Sequence, residues 1–307
     1  MEVCSVLERS IMQKEFEKVF LNKYGFYELK NKPSVEERKK EFEEEYYQQS
    51  TSSYEQHYTD EELEFKKVKL EQRKIIYERN LKKSVEKCSL MDIGCGEGFT
   101  LRYFNDNGMS VTGIDFSEWG ISHHNPDMLK YFIKGDCVQI IPKLIQNGKK
   151  YDVINMDAAF DMMLEQDKVL GLCHKLLSDE GVMVIKVANN YSMLQRTLLE
   201  TGQLTKEYWL DDPGHPVYFN KDGLINFVCD KQFECVDFYG DSFIDFNLLN
   251  PRTNYYENPE VGKDGYKARI QLEKMMNDIS PEKSLEIFRL LGQMGFGREI
   301  IGVFKKR

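Results

Sequence analysis

The sequence predicts an α/β protein built on a doubly wound, mostly parallel seven-stranded sheet. Three observations carry that expectation. Short apolar runs recur at nearly regular intervals from residue 88 onward, and helical stretches stand between several of them. The first run also ends in an acid and three alternate glycines that open a helix. Alternation of this kind implies parallel strands joined by right-handed crossovers. The strands are expected at residues 90–93, 111–114, 131–133, 153–156, 182–187, 234–239 and 299–304.

Residues 1–85 differ in texture and are expected to form an amino-terminal helical cap, charged and aromatic with few strand signals. Ser34 with Glu37 and Thr59 with Glu62 both read as capping boxes. The second opens a helix toward residue 83, with Leu63, Phe65, Val68, Ile75, Ile76 and Leu81 as its apolar stripe. The charge run at 38–45 reads as a wet helix face. Between the capping boxes, the tyrosine-rich stretch 46–58 is either a lid or a solvated loop.

The main domain is assigned to residues 86–307, with substrate-side insertions at about 191–220 and 241–297. A helix at 167–177 is expected to close in the turn 178–181. Asn220 is placed to cap a helix over 223–231, and the second insertion carries helices at 270–277 and 281–291 before the last strand.

Composition narrows the class. The 307-residue chain has a net charge of −9, which disfavours a nucleic-acid partner, and no basic patch overrides it. Seven cysteines at irregular spacing argue against a disulfide framework and for a reducing, cytoplasmic compartment. No apolar run approaches a membrane span. His123 and His124 have no cysteine or acid at metal-ligand spacing, so no metal is expected.

The run Leu90-Met91-Asp92-Ile93-Gly94-Cys95-Gly96-Glu97-Gly98-Phe99 brings backbone amides and a helix start close to a small ligand. Asp115 ends the next strand, twenty-one residues past Gly94, where a carboxylate suits the two hydroxyls of a ribose. Together they point to a nucleoside-containing cofactor. A dinucleotide fingerprint needs its third glycine at Phe99. Here it falls one residue early, at Gly98, and no basic residue in the loop answers a pyrophosphate.

This pattern resembles motif I of the class I S-adenosylmethionine-dependent methyltransferases, whose core is Rossmann-like. The resemblance covers residues 86–240 well and implies S-adenosylmethionine as cofactor, with S-adenosylhomocysteine as product. It implies that the glycine loop (Asp92, Gly94, Cys95, Gly96, Gly98) takes the methionyl part and Asp115 the ribose, with Phe116 and Ser117 beside it. Asp136 then meets the adenine amino group, with Cys137 adjacent, and Met156 and Asp157 lie beside the methyl-transfer site. The other reading of Asp136 is a turn residue after Gly135, and of Phe116 a core residue.

The segment His215-Pro216-Val217-Tyr218-Phe219-Asn220 is similar to the His-x-x-x-Phe loop of many methyltransferases of cell-surface sugars and small metabolites. Where relatives carry Glu-x-x-Glu-His after the fourth strand, this chain has Asp157-Ala158-Ala159-Phe160-Asp161, which shifts the base assignment to His215 or Asp157. Tyr58, Asp161 and Tyr218 are the candidate acceptor contacts. The resulting expectation is O-methylation of a small polar acceptor, such as a sugar or sugar nucleotide for surface polysaccharide. The alternatives are a phosphate-like or nitrogen acceptor, a nicotinamide-dependent oxidoreductase, and a non-catalytic cofactor-binding protein.

Overall fold

The computed structural model describes residues 18–40, 57–210 and 215–307. Within the amino-terminal region it contains a hairpin that composition did not announce, β1 (Val19–Leu21) and β2 (Tyr27–Leu29). Its turn is set by Asn22, whose side chain accepts from the amides of Tyr24, Gly25 and Phe26, with Gly25 at φ 94°. Both expected capping boxes form. Ser34 and Glu37 exchange side-chain-to-backbone bonds at the start of α1 (Val35–Lys40), and Thr59 and Glu62 do so at α2 (Asp60–Leu81).

The seven expected strands are all present. β3 (Ser89–Ile93), α3 (Phe99–Asp106), β4 (Ser110–Asp115), α4 (Trp119–His124) and β5 (Phe132–Lys134) make the first half. Then follow α5 (Cys137–Gln146), β6 (Tyr151–Asp157), α6 (Gln166–Leu176) and β7 (Leu177–Ala188). The expected turn at 178–181 lies inside this last strand. The pairs Tyr151↔Leu177 and Val153↔Val182 bracket those residues, so they bulge out of register rather than reverse the chain.

After α7 (Met193–Glu200), β8 (Val217–Tyr218) pairs antiparallel with β2, and α8 (Lys221–Cys229) starts at the Asn220 cap. β9 (Phe233–Asp241), the inserted helices α9 (Gly262–Ile279) and α10 (Pro281–Gln293), and β10 (Glu299–Lys306) complete the sheet. Strand order is β5-β4-β3-β6-β7-β10-β9, parallel except for β10, which runs antiparallel to both neighbours. The amino-terminal hairpin is bound into this core. Phe26 packs with Phe219 and Phe227, and a Cβ on Gly223 would stand 2.6 Å from that of Phe26.

Period-two alternation sorts the strand residues onto two faces. Met91, Ile93, Ile154, Met156, Ile185 and Val187 build the core beneath α5, α6 and α8. Leu90, Val153, Val184, Tyr239 and Val303 build the other, beneath α2, α3 and α10. On that second face, the alternation continues toward the carboxyl ends of the strands into Asp92, Asn155, Asp157, Lys186 and Asp241. Helix α2 lies over these polar strand ends, so its buried face includes Gln72 and Arg73, whereas Leu63 of the expected apolar stripe is exposed. Phe65, Ile76 and Leu81 of that stripe are buried as expected.

Candidate active site

The turn after β3 is held open by its glycines. Gly94, Gly96 and Gly98 all have positive φ (78°, 48° and 77°), a region costly for residues with a Cβ. A Cβ on Gly94 would also stand 2.5 Å from the Cβ of Ala159. The amides of Gly94 and Cys95 both donate to Ile114 O, tying the loop to β4. Asp115 at the end of β4 closes the cradle. One carboxylate oxygen accepts from Gly96 N at 2.9 Å and the other from Ser117 N at 3.0 Å. Burial raises its pKa, and those amides work against the rise.

The cradle opens into a cleft of about 950 Å³, a volume that includes the open solvent at its mouth. Gly94, Asp115, Phe116, Asp136, Cys137 and Asp157 line it, as do Met162, Met163 and Val169 on its apolar wall. Asp136 also caps α5 by accepting from Val138 N at 2.9 Å, so its turn role is real and one oxygen is committed to it. Burial pushes the Cys137 thiol up to about 12, which leaves it unreactive. Val35 and Arg38 of α1 also border the cleft, a contribution from the cap that no motif signalled.

The other expected cofactor residues act from behind the cleft. Gly96 and Gly98 shape the loop. Cys95 turns away from the cleft, because its sulfur packs against Gly113 and burial raises its thiol pKa. Ser117 is buried and accepts from Trp119 N, and Met156 is core. Asp92 is buried and accepts from Asn155 Nδ2 at 2.7 Å; burial raises its carboxyl to about 7. Tyr58 stands apart from the expected acceptor site. Its hydroxyl donates to Glu97 of the glycine loop at 2.6 Å, and Lys66 Nζ sits 4.2 Å from its ring centroid. The rest of the 46–58 stretch, residues 46–56, and the loop residues Asp211 to Gly214 lie outside the described residues.

Asp157 borders both the cleft and a smaller cavity beneath α2. Arg73 donates to it at 3.2 Å and to Asn155 Oδ1 at 2.9 Å, and Lys186 Nζ lies 3.4 Å from its other oxygen. Burial opposes ionisation, but Lys186 and Arg73 prevail and hold this carboxyl below the usual carboxylate range. The ionic chain continues from Lys186 to Glu299 and Asp241, and from Asp241 through Lys69 to Glu273 and Arg269 of α9. Sequence reasoning missed Arg73 and Lys186. The available signals were a lone lysine in the apolar run Val184-Ile185-Lys186-Val187 and the helical ridge Lys69, Arg73, Tyr77.

On the far side, the short turn Phe160–Met162 after β6 presents Asp161. This residue is 3% exposed, and its Oδ2 lies 3.5 Å from Ala188 N and 3.8 Å from His215 Nε2. Its Oδ1 is buried with no hydrogen-bond partner among the described residues. Burial raises its pKa against the pull of His215 and Arg298. Tyr218 is fully buried, 6.3 Å from the His215 ring between centroids. Nearby, Arg298 donates to Asn190, while Asp245 accepts from Tyr208 and Tyr255. No set of His, Cys, Asp or Glu among the described residues is arranged to hold a metal.

A family model described as a methyltransferase domain matches residues 63–237, more than half of the chain and all of the site's strands up to β9. The chain belongs to this family. It is of the class I, S-adenosylmethionine-dependent kind, and the left-handed glycine loop and Asp115 on the cleft lining fit that cofactor. Among curated relatives, the ubiquinone biosynthesis O-methyltransferase of Pelagibacter ubique is 31% identical over 111 residues, 36% of this chain and 46% of that protein. The enzyme of the same name from Rhodopseudomonas palustris strain TIE-1 is 26% identical over 115 residues, 37% of this chain and 46% of its own. The matched stretch spans less than half the length of these relatives. A solved S-adenosylmethionine-dependent methyltransferase from Archaeoglobus fulgidus aligns at TM-score 0.48 and 18% identity, covering 80% of this methyltransferase and 95% of its own chain.

Proposed function

We propose that this methyltransferase methylates an oxygen of a small polar acceptor, of sugar or sugar-nucleotide type, with His215 as the base and Asp161 as its partner. The Asp161–His215 pair carries the reading. Asp161 stands in the turn directly after the strand that ends in Asp157, next in sequence to Met162 of the cleft wall.

When bound, S-adenosylmethionine supplies a methyl carbon on a cationic sulfur, a leaving group that needs no acid assistance. The chain's own work is therefore to align the acceptor, exclude water and remove one proton. Asp157 is poorly suited to the last task, because two cations lower its affinity for a proton. The His215 imidazole takes the acceptor's proton, and Asp161 stabilises the imidazolium that forms. Gly94 and Asp115 would hold the methionyl and ribose parts, with Met162, Met163 and Val169 supplying the apolar wall of the same cleft.

Several observations support the finer points. The curated relatives are both named O-methyltransferases, which favours oxygen as the accepting atom. Cys88, Cys95, Cys137, Cys173, Cys229 and Cys235 are all unpaired, which favours a reducing compartment. No described helix is long and apolar enough to cross a membrane. Incubation with labelled S-adenosylmethionine and fractionated metabolite extract tests the reading. Label is expected in small molecules, and label confined to protein or RNA overturns it. A His215→Ala variant is expected to lose roughly 100-fold or more in kcat while binding S-adenosylhomocysteine as before.

A further inference from the structure

Helices α9 and α10 form a hairpin joined at Ser280, and each already buries one face. Ile270, Glu273 and Asn277 are buried on α9, and Leu285, Phe288 and Gly292 on α10. The outward face of a surface helix is normally polar. Here it carries Leu272, Met275 and Ile279 on α9, with Ile287, Leu290 and Met294 on α10 and at its end, all between 43% and 81% exposed. These are six of the fourteen exposed large apolar side chains among the described residues, so they make a patch and not ordinary scatter. With Ala268, the α9 stripe steps by four, three and four residues, and with the stem of Lys283 the α10 stripe does the same. Four-three spacing keeps a seam on one side of a helix and is the pattern by which helices pack on other helices.

We infer that this face pairs with the same face of a second copy of the chain, in a contact related by a two-fold axis. Area and pattern select that occupant. The six side chains expose on the order of 600 Å² of apolar surface, at the upper end of what a monomer leaves bare and close to the ~800 Å² that each partner gives to a standard interface. A two-helix face with the same step on both helices can complement itself, as a two-fold contact demands. Charge argues against a lipid surface. The exposed charges of the hairpin are Lys263, Lys267 and Lys283 against Asp264, Asp278 and Glu282, a balance with no net attraction to anionic headgroups. Across a two-fold axis the same balance lets opposite signs meet. The pairing also bears on the site. The inward side of α9 carries Arg269 and Glu273, which begin the ionic chain through Lys69, Asp241 and Lys186 to Asp157. A second copy therefore braces, from outside, the helical layer that holds those charges.

Sedimentation equilibrium of the full chain over about 1–100 µM tests the pairing, with a dimer expected at a Kd of about 1 µM or tighter. Leu272→Glu combined with Leu290→Glu places four carboxylates of the pair in the buried seam and is expected to weaken association at least about 100-fold. Far-UV circular dichroism and S-adenosylhomocysteine affinity are expected to stay as in the parent, because both leucines are exposed in the single chain. Met193→Glu makes the same kind of change at an exposed residue of α7 and is expected to leave the dimer intact. A monomer over the whole range, a dimer that survives the double substitution, or one lost equally in Met193→Glu overturns the assignment. A species that keeps growing beyond two copies overturns the two-fold contact. Hydrogen exchange on the unsubstituted protein gives a check that needs no variant. Protection at residues 268–279 and 283–294 is expected to rise with protein concentration, and a rise confined to other segments overturns the assigned face.

Discussion

Asp92 is the residue whose removal gives the sharpest physical signal. Its carboxyl is buried against Asn155 and titrates at about 7 instead of 3.8. The folded protein therefore holds this proton up to neutral pH, while the unfolded chain releases it near 4. Stability is full below the unfolded value and is lost as pH rises from about 4 toward 7, where ionisation must occur against burial. The gap between the two values corresponds to about 4 kcal/mol at the alkaline limit, as an upper figure. Asp92→Asn keeps the acceptor for Asn155 Nδ2 and cannot ionise. Its amide adds a donor that needs a partner, a cost of about 1–3 kcal/mol that does not vary with pH.

The measurement is urea unfolding of both proteins between about pH 4 and pH 8, read as the difference between variant and parent. Every other titrating group cancels in that difference to the extent that it is uncoupled from Asp92. The Asp92→Asn variant is expected to gain on its parent steadily through this window and to level off above it. A difference that stays flat with pH, or that falls as pH rises, refutes the assigned burial penalty. Arg73 would then have to be neutralising Asp92 more fully than its position suggests.

Three further outcomes follow from the same geometry. Gly94→Ala combines a left-handed φ with a 2.5 Å approach to Ala159, so calorimetry is expected to show loss of S-adenosylhomocysteine binding, with the fold less stable by at least about 1–2 kcal/mol. Arg73→Met removes one of the two cations on Asp157 and one of the two donors to Asn155 Oδ1, and is expected to cost about 1.5–3 kcal/mol in denaturant unfolding, with part of the loss recovered by adding Asp157→Asn. It should also shift acid unfolding to higher pH, since a carboxyl held below its usual range contributes stability that is lost as pH falls through the folded value, and that value rises without Arg73. Tyr58→Phe removes the hydrogen bond to Glu97 and is expected to cost roughly 1–2 kcal/mol, with hydrogen exchange at the start of α2 rising most.

The seven strands were legible because each is a short apolar run bounded by polar residues. The cofactor loop was legible because alternate glycines directly after an apolar strand mark a turn where backbone must come close to a ligand. Asp115 was legible from spacing alone. The hairpin at residues 19–29 was not, since its strands are three residues each and two of the three β1 residues are exposed, leaving no alternation to read. Its turn lay in Asn22 and Gly25, too sparse a signal by itself. Helix α2 departs from the expected periodicity for a different reason. It covers strand ends that are themselves charged, so Gln72, Arg73 and Tyr77 join Phe65, Ile76 and Leu81 of the expected stripe on its buried face. Buried charge is invisible to hydrophobic patterning until the partner strand is known.

The same placement explains how one sheet edge separates two carboxylates by role. Asp157 and Asp161 are four residues apart, yet they end up in opposite electrostatic settings. The strand alternation sends Asp157 to the α2 face, where Arg73 and Lys186 lower its pKa and make it a fixed negative charge beside the cleft. The turn after β6 sends Asp161 to the other side, where burial raises its pKa and His215 is the imidazole it faces. A carboxylate clamped between two cations holds geometry but yields no useful basicity, whereas one shared with an imidazole can stabilise the proton that the imidazole gains. His215, the base of the proposed reading, directly precedes the segment that includes β8, which pairs with β2 of the amino-terminal hairpin, while Tyr58 ties the start of α2 to the glycine loop.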